Sequence, residues 1–94
     1  MSKVLQEKGK PYFVYVLRSE NYNRFYTGMT DNVARRIKEH NSGKTKSTKG
    51  YRPWKLFFYE KYSSRKEARE REKYLKSGVG REFIKEKWSG SSAG

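Results

Sequence analysis

Three short blocks of apolar and aromatic residues are separated by polar segments along the chain. Residues 12–18, 25–30 and 54–62 are rich in aromatic and β-branched side chains, so we expect each to form a β-strand. Residues 19–24 contain two Asn, which favour turns, and predict a hairpin between the first two strands. Gly28 lies within the second block, where it indicates a bulge or the close approach of a ligand.

A helix is predicted after the second strand. Thr30 or Asp31 can cap its N-terminus, because a short oxygen-bearing side chain accepts from free backbone N–H groups. The helix runs to about Asn41, and Gly43 follows as a stop signal. Residues 44–52 are basic and polar, and we expect them to form a loop.

Two further helices are predicted after the third strand. Ser63 or Ser64 caps a helix that reaches about Ser77 and is ended by Gly78, and residues 81–88 form a short last helix. The order of elements is β-β-α-β-α-α. That order predicts an α+β domain in which helices cover a small, mainly antiparallel sheet.

The length and composition predict one small domain with a thin core. Only sixteen of the 94 residues are Leu, Ile, Val or Phe, a share that with a net charge of +13 would normally indicate disorder. Eight Tyr and two Trp add apolar area, and the apolar residues are grouped in blocks. We therefore expect a single folded domain over 12–88, a flexible basic arm over 1–11 and a disordered tail over 89–94.

The charge predicts a polyanionic partner. Twenty-three Lys and Arg oppose ten acidic residues, so nucleic acid is the first candidate and an anionic membrane surface the second. No apolar run approaches the roughly 18 residues of a spanning helix. The N-terminal residues are polar and lack the apolar core of a secretory signal.

The residue types that are scarce exclude several chemistries. The chain has no Cys, one His (His40) and one Asp (Asp31), which excludes a disulfide scaffold, a catalytic thiol and a structural zinc site. One Asp also disfavours nucleases that hold two metals on several Asp carboxylates. The absence of Cys is compatible with the cytoplasm, which is the expected location.

The first helix has basic groups beside its apolar stripe. Val33 and Ile37 define that stripe, and Arg36 and His40 lie along its edge, one turn apart. Both can therefore line a cleft over the sheet. The alternative is that Arg36 extends its charged end to water and His40 is an ordinary half-buried residue.

The second helix carries a carboxylate on its apolar stripe. Glu72 points close to the direction of Ala68, on the side away from Leu75, and a buried carboxylate is costly unless it is paired or binds a metal. A basic band that includes Arg69 and Lys76 runs beside it. Glu72 is therefore either the partner of Lys76 or Arg69 in an ion pair or a functional carboxylate that holds one divalent ion against a bound phosphate.

Aromatic residues are interleaved with this chemistry. Tyr15 and Tyr26 lie on the two strands of the hairpin and can meet across it, although Tyr in such strands is usually part of the core. Residues 44–55 contain five basic residues with Tyr51 and Trp54 between them. Lys and Arg suit phosphates and aromatic rings suit exposed bases, so this loop is a candidate nucleic-acid contact, or else merely solvated charge.

Taken in order, these residues resemble the GIY-YIG nucleases over about 12–88. Residues 13–15 stand where Gly-Ile-Tyr names that family, and residues 26–28 stand for Tyr-Ile-Gly. Arg36 and His40 follow at the spacing of the family's catalytic Arg and of its His or Tyr. Glu72 matches the Glu that the family's helix presents to a metal. The likeness is strongest to small stand-alone bacterial members, which are similar to the GIY-YIG nuclease domain of the bacterial excinuclease.

The resemblance implies a GIY-YIG-like fold with a three-stranded, mainly antiparallel sheet flanked by helices. It implies a divalent-metal-dependent endonuclease that hydrolyses phosphodiester bonds in DNA with one Mg²⁺ or Mn²⁺, in repair or recombination, with structure-specific cleavage as one form of that activity. The alternatives are a nucleic-acid-binding module that does not cleave and a basic structural protein. The expected state is a monomer or a weak homodimer without membrane association.

The resemblance also implies a role for each site residue. Tyr15 would act as the general base, Tyr26 and His40 would orient water or relay the proton, Arg36 would hold the phosphate and Glu72 would bind the metal. The backbone at glycine and several basic side chains would contact the substrate. These substrate-binding residues are Gly28, Lys44, Lys46, Lys49, Arg52, Arg69 and Lys76.

Overall fold

A computed structural model describes residues 10–90 of the chain. It contains three strands and four helices in the predicted order, apart from one short helix between α1 and β3. The elements are β1 (Tyr12–Ser19), β2 (Phe25–Thr30), α1 (Val33–Ser42), α2 (Lys46–Lys49), β3 (Trp54–Tyr62), α3 (Arg65–Lys76) and α4 (Gly78–Gly90). The α+β class is confirmed.

The three strands form one antiparallel sheet in the order β2-β1-β3. The hairpin between β1 and β2 is regular and pairs Tyr15 with Gly28. A register shift between Val16 and Leu17 interrupts the pairing of β1 with β3. The sequence indicated a bulge at Gly28 in β2, but the pairing of β1 with β2 is regular there. The irregular pairing is between β1 and β3.

The central strand divides its side chains between two cores. Val14 and Val16 pack with Ala68, Leu75 and Ile84 of α3 and α4. These five residues are buried. This aliphatic group is the structural core, and it lies on the face of the sheet that α3 and α4 cover.

The opposite face of the sheet packs against α1. Tyr15 and Leu17 are buried there with Trp54, and Val33 and Ile37 of α1 cover them. The predicted apolar stripe of α1 therefore faces the sheet. Alternation along β1 places the aromatic residues of the predicted site on this second face.

The ends of α1 are set by short polar side chains. Asn32 is the N-cap, because its side-chain oxygen accepts from the backbone N–H of Arg35 at 2.9 Å. The expectation of Thr30 or Asp31 was wrong, since the Thr30 hydroxyl instead accepts from the backbone N–H of Asn32 and closes the turn before the helix. Gly43 ends α1 in the left-handed conformation with φ 89°, as predicted.

The segment between α1 and β3 is more ordered than a loop. Residues 46–49 form the short helix α2, and Thr48 on its inner side is buried. The indole N–H of Trp54 donates to the Thr48 carbonyl oxygen at 2.9 Å. The prediction of a loop over 44–52 was therefore incomplete, because a tertiary contact rather than helix periodicity holds this turn in place.

The last two helices follow each other almost without a break. Ser64 caps α3, as one of the two predicted serines, and the Ser77 backbone N–H bonds the Tyr74 carbonyl at the other end. Gly78 was expected to end α3, but Ser77 is the C-cap of α3 and Gly78 begins α4, three residues before the expected start of the last helix. A side chain at Gly80 would collide with the backbone of Tyr74 and Leu75. The close turn therefore depends on glycine.

The predicted arm over 1–11 and the tail over 89–94 fall mostly outside the described residues. Residues 1–9 and 91–94 are not described, whereas Ser89 and Gly90 belong to α4. Within residues 10–90, no helix has both the length and the apolar character needed to cross a membrane.

Candidate active site

Tyr15 lies at the centre of the candidate site. It is 1% exposed, and its hydroxyl lies 3.0 Å from Nε2 of His40. A Cβ atom at Gly28, across the hairpin, would lie 2.6 Å from that hydroxyl oxygen. The missing side chain at Gly28 therefore makes room for the Tyr15 ring. The sequence indicated the close approach of a ligand to Gly28 as one interpretation, but the Tyr15 phenol occupies that space.

His40 connects Tyr15 to α2. It is fully buried, and its Nδ1 lies 2.8 Å from the Thr48 hydroxyl, which in turn donates to the Thr45 carbonyl oxygen at 3.3 Å. A hydroxyl has one hydrogen, so Thr48 accepts from the N–H at Nδ1 of His40. Nε2 is then the unprotonated nitrogen and accepts the hydrogen of Tyr15. His40 was expected at the edge of the apolar stripe of α1. In the structure it is fully buried and hydrogen-bonded through both ring nitrogens.

Burial keeps both ionisable members of this chain neutral. Burial raises the pKa of Tyr15 above its usual value, although a hydrogen bond and the positive charge of Arg36 act in the opposite direction. Burial, followed by the charge of Arg36, lowers the pKa of His40. The raised pKa favours the neutral phenol at Tyr15, with its hydroxyl beside the neutral imidazole of His40.

Tyr26 completes an aromatic cluster around this chain. Its ring centroid lies 4.7 Å from that of His40 and 6.3 Å from that of Tyr15. Unlike Tyr15, Tyr26 is only partly buried. The expected meeting of Tyr15 and Tyr26 across the hairpin is confirmed, and Tyr26 is the member of the pair that solvent reaches.

Arg36 lies one turn before His40 on α1. Its side chain is 28% exposed and pairs with the carboxylate of Glu39. The guanidinium is also close enough to Tyr15 to influence the pKa of that phenol by a hydrogen bond and by charge. Arg36 thus lies at the boundary between the buried chain and solvent, with charge available to an incoming anion.

Glu72 approaches the same centre from α3. Its side chain is 18% exposed, and its Oε2 lies 3.2 Å from Nζ of Lys76, one turn along the helix. Its negative charge contributes to the raised pKa of Tyr15, so the two side chains interact through space. The ion pair with Lys76 that the sequence allowed is present.

A divalent metal at this position would have one carboxylate ligand. Among residues 10–90, no group of three or more His, Cys, Asp or Glu side chains is arranged to hold a metal ion. Mg²⁺ binds through one or two carboxylates while keeping water and phosphate oxygens as its other ligands. Because Lys76 is 51% exposed and can move into solvent, Glu72 fits that requirement.

The predicted substrate-binding side chains are exposed to solvent. Lys44, Lys46, Lys49, Arg52 and Arg69 are all exposed, as is Lys76. Trp54 does not lie with them, because it is 4% exposed and its indole N–H is used by Thr48. Trp54 therefore does not offer a stacking surface for bases. The basic side chains of the predicted nucleic-acid contact are exposed.

Two polar residues of the site region were not predicted. Thr48 fixes the orientation of His40, and Asn41 bonds both backbone groups of Trp54, accepting from its N–H at 2.6 Å and donating to its carbonyl at 3.0 Å. Asn41 thereby ties the end of α1 to the start of β3. Neither residue carries a periodic signal, because each acts through a contact between distant parts of the chain.

Comparison with known proteins identifies the class to which this geometry belongs. The model of the GIY-YIG catalytic domain matches residues 11–85. The chain therefore belongs to the GIY-YIG family. The domain is that of a nuclease, a hydrolase whose substrate is nucleic acid.

The relatives include small bacterial proteins of the same size range. UPF0213 protein CPE1444 of Clostridium perfringens is 42% identical over 65 residues, which cover 68% of this chain and 69% of that protein. UPF0213 protein YazA of Bacillus subtilis is 41% identical over 69% of this chain and 66% of its own length. A solution structure of UPF0213 protein BH0048 from Bacillus halodurans has 36% identity and a TM-score of 0.48, covering 79% of this chain and 81% of that one.

One relative has a functional name. The structure-specific endonuclease subunit SLX1 of Phaeosphaeria nodorum is 38% identical over 65 residues, or 60% of this chain. The matched part is 18% of that longer protein. The likeness is thus between this chain and one segment of the larger protein.

Proposed function

We propose that the protein is a divalent-metal-dependent endonuclease that hydrolyses phosphodiester bonds in DNA, acting in the cytoplasm in repair or recombination. The observation that carries this proposal is the buried chain from Tyr15 through His40 to Thr48, whose phenol is within electrostatic reach of Arg36 and Glu72. Simple binding of a polyanion requires no buried phenol–imidazole pair. The kinship with a segment of a structure-specific endonuclease subunit supports structure-specific cleavage.

In this proposal Tyr15 and His40 act together as the base. A water molecule attacks phosphorus and gives its proton to the Tyr15 oxygen, while the Tyr15 hydrogen passes to Nε2 of His40. The phenol is neutral before and after the step, and His40 becomes the imidazolium. A raised pKa of Tyr15 suits this relay, because the phenol never has to remain ionised. Thr48 holds His40 in the tautomer that can accept.

Arg36 and Tyr26 act at the solvent side of the relay. The guanidinium of Arg36 binds the scissile phosphate and stabilises the negative charge that develops on it, a task that suits a permanently charged planar group. To do so, Arg36 exchanges its partner Glu39 for a phosphate oxygen. Tyr26, which is partly exposed next to His40, orients the attacking water.

Glu72 is the proposed metal ligand. When bound, a divalent ion supplies positive charge to the phosphate and to the departing 3′ oxygen. The exposed basic side chains around the site hold the flanking phosphates. They are Lys44, Lys46, Lys49, Arg52, Arg69 and Lys76.

The test is cleavage of a panel of duplex, flap, branched and single-stranded DNAs and an RNA, with Mg²⁺ or Mn²⁺. Glu72→Gln is compared with Glu70→Gln, which neutralises an exposed carboxylate on the same helix. We expect Glu72→Gln to lose cleavage and keep DNA binding, while Glu70→Gln behaves like the parent. Equal cleavage by Glu72→Gln and the parent would overturn the metal assignment.

A binding module without cleavage is the second candidate, and the net charge of +13 favours it. It predicts salt-sensitive binding to the whole panel and no cleavage of any member. Phosphate contacts release counterions, so the logarithm of the affinity falls linearly with the logarithm of the salt concentration in either case. An affinity that does not change with salt would contradict both candidates.

A further inference from the structure

A pocket of about 370 Å³ lies beside β2, and Tyr26 is the one catalytic candidate among its lining residues. One wall is made by residues 23–27, the end of the hairpin turn and the start of β2, and the other by the end of α3 and the first turns of α4. Its volume falls within the range of about 300–1,000 Å³ that small-molecule sites occupy. β2 is an edge strand of the sheet, so among residues 10–90 its outer backbone groups have no neighbouring strand.

The rim of the pocket is basic. Arg24, Lys76, Arg81 and Lys85 are among its lining residues, and all four are exposed. None of the lining residues is acidic. Such a rim favours an anion, and four cations at one opening are costly to keep together unless solvent or a bound anion screens them.

The floor of the pocket is apolar. Leu75 and Ile84 are buried there, and the rings of Phe25 and Tyr26 are partly buried. An inorganic phosphate would gain nothing from these surfaces. A ligand that combines a phosphate with a flat or apolar part would use both the rim and the floor.

The pocket opens next to the candidate active site. Tyr26 lines the pocket and lies 4.7 Å from His40 between ring centroids. Lys76 lines the pocket and bonds Glu72 at 3.2 Å. A strand whose phosphate lies at Arg36 and Glu72 would therefore pass the mouth of the pocket with its neighbouring nucleotide.

We propose that this pocket binds one nucleotide of the substrate strand, the one adjacent to the scissile phosphate. Its phosphate binds Arg81, Lys85 and Lys76, and its sugar and base pack on Phe25 and Ile84. The proposal rests on the nuclease function proposed above. By binding this nucleotide, the pocket would determine how the substrate strand is oriented in the active site. The exposed basic residues after α1 would then hold the opposite flank.

The test compares two double variants that each remove two positive charges. Arg81→Ala with Lys85→Ala alters the pocket, whereas Lys38→Ala with Lys61→Ala, the control variant, alters exposed residues of α1 and of β3, the opposite edge of the sheet. DNA affinity is measured in EDTA over a range of salt concentrations. We expect the pocket variant to lower the salt slope by about 0.7 for single strands and about 0.9 for duplex, from the one phosphate that the pocket no longer binds, and the control variant to leave the slope unchanged.

A second measurement locates the ligand directly. A deoxynucleoside 5′-monophosphate and inorganic phosphate are titrated separately into ¹⁵N-labelled protein. We expect the mononucleotide to shift amide signals of residues 24–27 and 81–85 and the ring signals of Phe25, and to lose these shifts in the pocket variant. Inorganic phosphate, lacking a base, should leave the Phe25 ring signals unchanged. Equal shifts from both probes would mean a plain anion site and would overturn the nucleotide assignment.

The outcomes separate this inference from the nuclease proposal. If Glu72→Gln abolishes cleavage while the pocket variant binds and cleaves like the control variant, the pocket inference is wrong and the nuclease proposal stands. If no DNA is cleaved but the pocket variant alone loses mononucleotide binding, the pocket stands and the nuclease proposal fails. The amide spectrum of each variant reports whether its fold is retained.

Discussion

The two faces of the sheet differ in the atoms that they bury. The face under α3 and α4 buries Val14, Val16, Leu75 and other aliphatic groups that make no hydrogen bonds. The face under α1 buries the hydroxyl of Tyr15 and both ring nitrogens of His40, each with a partner. The same strand supplies both faces by alternation.

This difference separates stability from chemistry. Aliphatic burial is non-directional and roughly proportional to area, so the α3–α4 face stabilises the fold without fixing any polar atom. Buried polar groups add little net stability and become costly when a partner is lost, but they fix geometry. Substitutions of the buried aliphatic groups on the first face should therefore change stability, and substitutions of the buried polar groups on the second should change cleavage.

The largest effect is expected from Tyr15→Phe on the α1 face. Loss of the hydroxyl removes the relay to His40, and cleavage should fall about 10²- to 10⁴-fold, the usual contribution of general acid–base catalysis. Single-turnover cleavage at saturating protein measures the effect, and Tyr22→Phe, an exposed tyrosine, is the control. Cleavage at the parental rate by Tyr15→Phe would remove the phenol from the mechanism.

Leu75→Ala tests the other face. Leu75 is fully buried, and a cavity at such a position lowers the free energy of unfolding by about 2–5 kcal/mol. Urea unfolding measures this loss, and Val79→Ala, which truncates an exposed side chain on α4, should change it by far less. Cleavage per folded molecule should fall much less than in Tyr15→Phe; the reverse ranking would contradict the separation of the two faces.

Thr48→Val tests the outer end of the hydrogen-bonded chain. Valine keeps the shape but cannot accept from His40, so the ring loses its fixed tautomer, and we expect cleavage to fall about 10- to 100-fold. Thr48→Ser retains the hydroxyl and should restore most of the rate. The dependence of the rate on pH should also change in Thr48→Val alone. Equal losses in both variants would indicate that the residue acts only through packing.

A smaller effect is expected from pH on stability. The pKa of His40 is lowered in the fold by burial and by Arg36, whereas an unfolded His titrates near about 6.5. The unfolded chain therefore binds the proton more readily, and the free energy of unfolding should fall as the pH drops below about 6.5. Denaturant titrations at pH 7.5 and 5.5 measure this. Because His40 is the single histidine, His40→Gln should lose most of the difference between the two pH values.

The sequence predicted the strands better than it predicted the connections. β2 and β3 begin and end at the expected residues, because their aromatic and β-branched blocks are bounded by turn residues. The cap of α1 moved to Asn32, since three neighbouring residues can all cap and the Thr30 hydroxyl was already used in the preceding turn. Local propensity cannot decide which of three neighbouring capping residues is the N-cap.

For the site, helix periodicity could indicate direction but not contact. It placed Arg36, His40 and Glu72 at or beside apolar stripes, and in the structure His40 is fully buried while Arg36 and Glu72 are partly exposed. Resemblance to a family supplied their order. It could not reveal the bond from His40 to Thr48, because that bond depends on the path of the chain through α2. The raised pKa of Tyr15 could not be predicted from the sequence either, because it follows from how deeply the sheet and α1 bury the ring.

The contact between Tyr15 and Gly28 makes two positions on neighbouring strands behave as one. A single added carbon at position 28 would meet the phenol oxygen at 2.6 Å, so any larger residue there requires the phenol to shift. A substitution at position 28 would therefore change the position of the Tyr15 hydroxyl relative to His40. A designer who wished to transplant this chemistry onto another hairpin would have to carry the glycine with the tyrosine.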